Sequence, residues 1–352
     1  LWNTLVEPIL YILMSKRIVN TGRVFQERRE FVIPTLTESK ARHGVSRAFR
    51  DREGRLNLLW RVVLGWLAFV AGLSLAVVIA TVAGSYEIPT LGLQILLAVV
   101  TTSVSVPLIY LLRRYVDQRP WSGLGLSSPP SGFRYFLLGI GFLALVTAAA
   151  LLIGSAAGWL RIVAFHLPVA TMLVILINAL IAFFYEAFPE EITFRGYVYR
   201  NLNTRFPRWL ALILQVVFFV LAPIAVTGFM VAIGIGTWDL ITVEYIINLV
   251  AFGTVLQLCR IVSNNLWMSI GFHLAWLEMV RYVVVPSSYA FIEIEYLSVW
   301  GNYMVTIGSV IIGIILLIVW SLQGKNRIDW NRIEPDLPPD SKPETEEAVL
   351  PS

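Results

Sequence analysis

The stretch VVLGWLAFVAGLSLAVVIATVA, residues 62–83, decides the fold. It contains no charged side chain and shows no alternation between an apolar and a polar face, as an element of a soluble domain would. A helix of about 20 apolar residues crosses the hydrocarbon core of a bilayer. The stretch therefore predicts a transmembrane helix.

Apolar blocks of the same kind recur along the whole chain. Of its 352 residues 57% are hydrophobic and only 14% are charged, whereas soluble domains are about 45–50% apolar and about 25% charged. The blocks predict eight spans: 62–83, 91–112, 134–157, 169–188, 209–232, 243–259, 264–284 and 302–322. The predicted fold class is all-α, a polytopic membrane protein built as a bundle of about eight transmembrane helices.

The distribution of basic residues predicts the orientation. Eight spans would place 25 of the 27 Lys and Arg residues on one side, with Arg161 and Arg281 as the exceptions. Lys and Arg are enriched in cytoplasmic loops. We therefore expect an integral protein of the cell membrane with both termini cytoplasmic. This bias also accounts for the net charge of +4, so no nucleic acid is expected as a partner.

Three segments lie outside the predicted membrane domain, residues 62–322. Residues 1–14 are apolar but too short to span, and predict a segment in the membrane interface. Residues 15–61 predict a basic cytosolic segment, which either lies against anionic lipid or only fixes the topology. The acidic, proline-rich composition towards the C-terminus predicts a disordered cytosolic tail over 323–352.

Ionisable residues within spans are expensive and are therefore candidates for function. They cluster in YEAFPEEITFRG, residues 185–196, and in GFHLAWLE, residues 271–278. In a helix, Glu191 and Arg195 would form an i,i+4 ion pair, and Glu190 would point elsewhere. The cluster is either a solvated cap at the end of the fourth span or a catalytic carboxylate site. His273 either bonds a backbone carbonyl or faces this cluster.

Three segments resemble a known family, the CAAX-prenyl-protease and bacteriocin-processing (CPBP, or Abi) intramembrane proteases. The stretch EEITFRG, residues 190–196, resembles the EExxxRG motif of the family. NLWMSIGFH, residues 265–273, resembles its last motif, and DQRPWSGLGL, residues 117–126, is similar to the loop before its core. The segments follow one another in the order of the family, and the similarity covers roughly residues 60–322.

The resemblance implies a role for each matching residue. Glu190 would activate water, Glu191 and Arg195 would orient and neutralise the site, and His273 would stabilise the oxyanion. The implied substrate is a membrane-anchored peptide or protein, prenylated proteins being one example.

Two positions depart from the family pattern. The His expected in the fifth span is replaced by Ala222 or Pro223, and the Asn expected four residues after His273 is Leu277. Loss of one oxyanion donor typically costs about 10²–10³ in rate. The chain is therefore either a divergent intramembrane endopeptidase or a catalytically inactive scaffold or accessory subunit of a membrane complex. A transporter is a third, weaker hypothesis, because no internal repeat is visible.

Metal and cofactor chemistry is not expected. The chain has one cysteine, Cys259, and three histidines. Catalytic zinc commonly needs three protein ligands, such as two His and one Glu. Only His273 is predicted near the carboxylates, so we predict no metal and no other cofactor.

Overall fold

The computed structural model describes residues 49–51, 54–86, 88–166, 169–285, 290–323 and 327–336. The predicted interfacial segment 1–14, most of the basic segment 15–61 and residues 337–352 of the tail lie outside these ranges.

The described residues are mostly helical. The α-helices are α1 (Leu58–Gly84), α2 (Thr90–Leu111), α3 (Pro129–Ala156), α4 (Val169–Ala182), α5 (Phe188–Glu190), α6 (Tyr199–Asn203), α7 (Arg208–Ala232), α8 (Val243–Ser263), α9 (Leu266–Met279), α10 (Val299–Tyr303) and α11 (Ser309–Leu322). Five π-helical segments continue or join them: Leu112–Val116, Phe183–Ala187, Glu191–Val198, Val280–Val284 and Met304–Gly308. Two antiparallel strands, β1 (Leu160–Phe165) and β2 (Ile292–Tyr296), pair with each other.

The predicted fold class is confirmed. Among the described residues, seven helices are long and apolar enough to cross a membrane: Leu58–Gly84, Thr90–Val116, Trp121–Ala156, Met172–Asn203, Arg208–Ala232, Val243–Ser263 and Val299–Leu322. The predicted span 264–284 is also helical, from Leu266 to Val284, but it is not among the seven. His273, Glu278 and Arg281 lower its hydropathy.

The helices run between two ends of the bundle that differ in chemistry. The sheet end carries β1 and β2. The basic end carries several arginines, among them Arg113, Arg119, Arg200, Arg208 and Arg260. Helix α9 starts at the basic end, where Leu266 N donates to Gly125 O at 2.9 Å. Its π-helical continuation reaches the sheet end, where Phe291 N donates to Tyr282 O at 2.8 Å. The predicted span 264–284 therefore crosses the bundle as an eighth helix.

Helix α9 is held against α3 by a close approach of the two backbones. A Cβ added to Gly139 would lie 2.1 Å from Met268 O, and one added to Gly271 would lie 2.1 Å from Phe136 O. Small residues at a helix contact permit such an approach within membranes. This contact fixes the position of α9 and of His273, which lies two residues beyond Gly271.

Part of the tail that was predicted to be disordered lies docked at the basic end. Arg113 Nη2 donates to Asp336 Oδ1 at 2.9 Å, and Arg119 Nε donates to Asp336 O at 2.7 Å. Glu334 accepts hydrogen bonds from Arg200 and Arg208. Residues 327–336, which we call the strap, therefore follow α11 back across the basic end.

Candidate active site

The acidic cluster lies near the middle of the fourth helix. This helix continues past its predicted end at residue 188, because α4, α5 and α6 are joined by π-helical segments from Val169 to Asn203. Glu190 is only 6% exposed and Glu191 is 0% exposed. The cluster is therefore not a solvated cap at the end of a span. Both π-helical segments adjoin α5, and π-bulges are frequent at functional sites.

Glu191 connects the two polar segments. Its Oε1 lies 3.0 Å from Arg195 Nη1 and 3.0 Å from His273 Nδ1. All three side chains are fully buried. The i,i+4 pair expected from the spacing is present, and His273 faces the carboxylates. A carboxylate that accepts from one ring nitrogen fixes the orientation of an imidazole.

Glu190 faces the other nitrogen of the same ring. His273 Nε2 and Glu190 Oε2 are 4.0 Å apart, and neither atom has a hydrogen-bond partner among the described residues. Buried polar atoms are nearly always paired, and exceptions in native proteins call for an explanation such as a catalytic role or a bound water. A water molecule or a substrate oxygen near these two atoms would contact both the Glu190 carboxylate and the His273 ring.

The buried charges are enclosed by aromatic rings. The Phe252 ring meets the His273 ring edge to face, with centroids 4.9 Å apart. The Arg195 guanidinium lies 4.2 Å from the centroid of the Phe219 ring, a cation–π contact. Its Nη2 also donates to Gly253 O at 3.5 Å. Helices α7 and α8 thus exclude solvent from the ion pair and strengthen its electrostatics.

The two departures from the family pattern lie in the apolar core. Ala222 is 1% exposed and Leu277 is 3% exposed, and both belong to the largest hydrophobic cluster. Neither side chain can donate a hydrogen bond or carry a proton. Apolar core residues therefore occupy the positions at which the resemblance implied His and Asn.

Glu186 is a further acidic group of this site that the predicted set did not include. It is 4% exposed, and its Oε2 has no hydrogen-bond partner among the described residues. It lies close enough to Glu190 for their charges to interact. The signal was present in the sequence, because Glu186 precedes Glu190 by four residues and so shares its helix face.

A second polar network lies at the basic end and was also missed. Asp117 is fully buried and accepts from Tyr197 Oη at 2.9 Å, Asn201 Nδ2 at 2.9 Å and Arg113 Nη1 at 3.2 Å. Burial raises the pKa of Asp117, against the opposing effect of the Asn201 and Arg113 contacts. Tyr197 and Asn201 are four residues apart on the fourth helix, so they present one face to the loop that begins at Asp117.

That loop joins the remaining motif segments. Asn265 caps the start of α9, and its Nδ2 donates to Ser127 Oγ at 2.9 Å. Trp267 Nε1 donates to Ser127 O at 2.9 Å. The loop thus bonds both the fourth helix, through Asp117, and the start of the helix that carries His273. The three segments that resembled the family form one connected structure.

Within the part of the chain that the structure describes, no group of three or more His, Cys, Asp or Glu side chains could hold a metal ion.

The fold and site together define a class: a multi-pass membrane protein with a buried carboxylate–histidine site. Residues 170–277 match the family described as "Type II CAAX prenyl endopeptidase Rce1-like". This range contains Glu190, Glu191, Arg195 and His273, so the resemblance predicted from the motifs is confirmed. No curated protein and no solved structure matches the chain.

Proposed function

We propose that the protein is a divergent intramembrane endopeptidase of the CAAX-protease type. The observation that carries the proposal is the 4.0 Å approach of Glu190 Oε2 and His273 Nε2, two buried atoms without a hydrogen-bond partner among the described residues. Such a pair is suited to hold a water molecule beside a peptide carbonyl.

Glu190 would act as the general base. It accepts a proton from the water, the resulting hydroxide attacks the carbonyl carbon, and a tetrahedral intermediate with an oxyanion forms. The carboxylic acid then returns the proton to the leaving amine as the C–N bond breaks. Proton transfer by a positioned side chain typically contributes about 10²–10⁴ in rate.

His273 would stabilise the oxyanion. Its Nδ1 would donate to the Glu191 carboxylate at 3.0 Å, so Nε2 is the ring nitrogen that faces the reacting atoms. Nε2 would donate to the oxyanion in the imidazolium form, in which both ring nitrogens carry a proton. A donor held in a buried site needs no reorganisation during the reaction, which makes it effective. Arg195 balances the charge of Glu191 and so keeps this carboxylate in place.

The substrate would be a membrane-associated peptide or protein. This expectation comes from the matched family, whose name refers to prenylated CAAX proteins. The enrichment of arginine at one end of the bundle supports a cytoplasmic basic end, with both chain termini in the cytoplasm and the protein in the cell membrane.

A catalytically inactive scaffold, or an accessory subunit of a membrane complex, is the second candidate. Ala222 and Leu277 favour it, because they place apolar groups in the core where the family has His and Asn. In this role the carboxylates and His273 would serve only to hold the fourth helix against α9.

Purification from native membranes distinguishes the two candidates. The wild-type protein, the Glu190→Gln variant and a control, Glu293→Gln on the exposed strand β2, are isolated in mild detergent and their bound proteins identified. If the protein is an endopeptidase, an uncleaved precursor should accumulate only with Glu190→Gln. Identical partners in all three samples, with no such precursor, would refute it and favour the scaffold.

A further inference from the structure

A cavity of about 360 Å³ opens near the sheet end, between α8 and the segment formed by α10 and the following π turn. Its inner wall is aromatic and apolar, with Leu249, Phe252 and Trp276. Polar side chains line the rest, among them Asn248 and Asn302. An apolar pocket with a few polar groups is the usual form of a binding site.

One side chain separates this cavity from the candidate active site. The Phe252 ring lies 4.4 Å from the Trp276 ring on the cavity side and 4.9 Å from the His273 ring on the other, measured between centroids. Phe252 is itself 2% exposed. The cavity therefore ends one aromatic ring away from the histidine of the site.

Two buried donors support a ligand in this cavity. Tyr245 and Trp276 both line it, and each is 8% exposed. The Tyr245 hydroxyl and the Trp276 Nε1 have no hydrogen-bond partner among the described residues. The Tyr245 phenol is also near enough to Glu190 and Glu186 for electrostatic interaction. Buried donors of this kind need an acceptor, which the carbonyl groups of a peptide would supply.

The entrance of the cavity is acidic. Asp239 and Glu244 line it and are exposed, and none of the described residues that line the cavity is basic. The field of two carboxylates concentrates cations and repels anions. A ligand that enters here would therefore carry positive charge together with acceptors for the inner donors.

We propose that this cavity binds the peptide on which the Glu190–His273 site acts, as an extended segment with a basic side chain that enters from the sheet end. In the proposed orientation this is the non-cytoplasmic end, so the substrate is a membrane peptide that is accessible from that side. The inference rests on the proposed endopeptidase function. The basic side chain lies at Asp239 and Glu244, the backbone carbonyls accept from Tyr245 and Trp276, and the amides of Asn248 and Asn302 pair with the remaining backbone groups.

Cysteine labelling tests the cavity without requiring catalysis. The native Cys259 is fully buried, so Asn248→Cys adds one thiol inside the cavity. Its reaction is followed with a cationic and an anionic methanethiosulfonate reagent, both water-soluble. Val299→Cys, 63% exposed at the same end of the bundle, is the control for the two reagents.

The cationic reagent is expected to react about tenfold faster than the anionic one at Asn248→Cys in low salt, with a smaller ratio in high salt. The added changes Asp239→Asn and Glu244→Gln should remove the preference. No reaction at Asn248→Cys, or equal rates while Val299→Cys reacts normally, would overturn the proposal.

The same labelled protein separates this proposal from the proposed function. If the site cuts, a cationic group attached to Asn248→Cys should make the uncleaved precursor accumulate as Glu190→Gln does. Labelling that leaves cleavage intact would show that the peptide enters elsewhere and would overturn the cavity assignment alone. An absent precursor in Glu190→Gln would instead refute the endopeptidase, whatever the labelling result.

Discussion

The stability of the protein should respond differently to the same substitution at two neighbouring carboxylates. Glu191 bonds both Arg195 and His273 at 3.0 Å in a fully buried site. Glu190 lies 4.0 Å from His273, and no Arg or Lys among the described residues forms an ion pair with it. Glu→Gln keeps the size and shape of the side chain, removes its charge and replaces one acceptor oxygen with an NH2 group. Because this change is the same at both positions, a comparison of Glu191→Gln with Glu190→Gln measures the value of the pairing.

The magnitude follows from the burial of the pair. Breaking a buried ion pair by removing one partner costs about 3–5 kcal/mol, because the other charge is left without compensation. We expect Glu191→Gln to cost about 3 kcal/mol, near the lower limit of that range, because the amide oxygen can still accept one hydrogen bond. Glu190→Gln removes a buried charge that no Arg or Lys among the described residues compensates by an ion pair, so it should be neutral or stabilising.

Thermal unfolding of the purified variants in one detergent measures the difference. The midpoint should fall clearly for Glu191→Gln and stay at or above the wild-type value for Glu190→Gln. The two variants should also differ in function, since under the proposed mechanism Glu190→Gln should abolish cleavage in a well-folded protein. If Glu190→Gln destabilises the protein as much as Glu191→Gln, then Glu190 is a structural residue and the assignment of a general base is wrong.

Two further predictions concern the contacts that position the site and the strap. Gly271→Ala places a Cβ 2.1 Å from Phe136 O and should cost about 1–3 kcal/mol of stability in the same unfolding assay. The control Gly141→Ala, whose Cβ would meet no atom within 4 Å, should not destabilise the protein. Equal effects of the two variants would show that the close contact does not matter. Burial would raise the pKa of Asp336, but the hydrogen bond and the charge of Arg113 outweigh this effect and hold the pKa below its usual 3.8. Docking of the strap should therefore persist above about pH 4 and weaken as the pH falls through the lower folded-state pKa. Asp336→Asn should release the strap at neutral pH, seen as faster proteolysis of the tail, and an unchanged cleavage rate would contradict the role of this carboxylate.

The sequence predicts the fold class and the pairing of charges well, because both depend on short-range patterns. Uncharged runs such as residues 62–83 can only be satisfied within a bilayer or a large core. The pair of Glu191 and Arg195 follows from helical spacing alone. The contact between His273 and Glu191 depends instead on how α9 packs. Two glycines determine this packing through a close approach of two backbones, which no local sequence pattern predicts.

The parts that the sequence did not predict are those in which a local pattern has two tertiary solutions. The proline and charges at 189–195 resemble the end of a span, yet Pro189 is tolerated inside the fourth helix, where π-helical segments lie on either side of α5. The strap has the composition of a disordered tail. Its carboxylates are nevertheless bonded by arginines of the basic end, a partner set that is distant in sequence.

The helix that is too polar to be one of the seven apolar helices is the one that carries His273. Its low hydropathy and its part in the polar site have the same origin. A segment with His273, Glu278 and Arg281 is unfavourable in lipid unless its polar groups face other helices. In the structure Glu278 pairs with Arg281 at 2.9 Å and His273 is fully buried. The bundle therefore shelters this helix from lipid, with α3 on one side through Gly139 and Gly271. The eighth helix has a low hydropathy because it carries polar residues of the site that it helps to form.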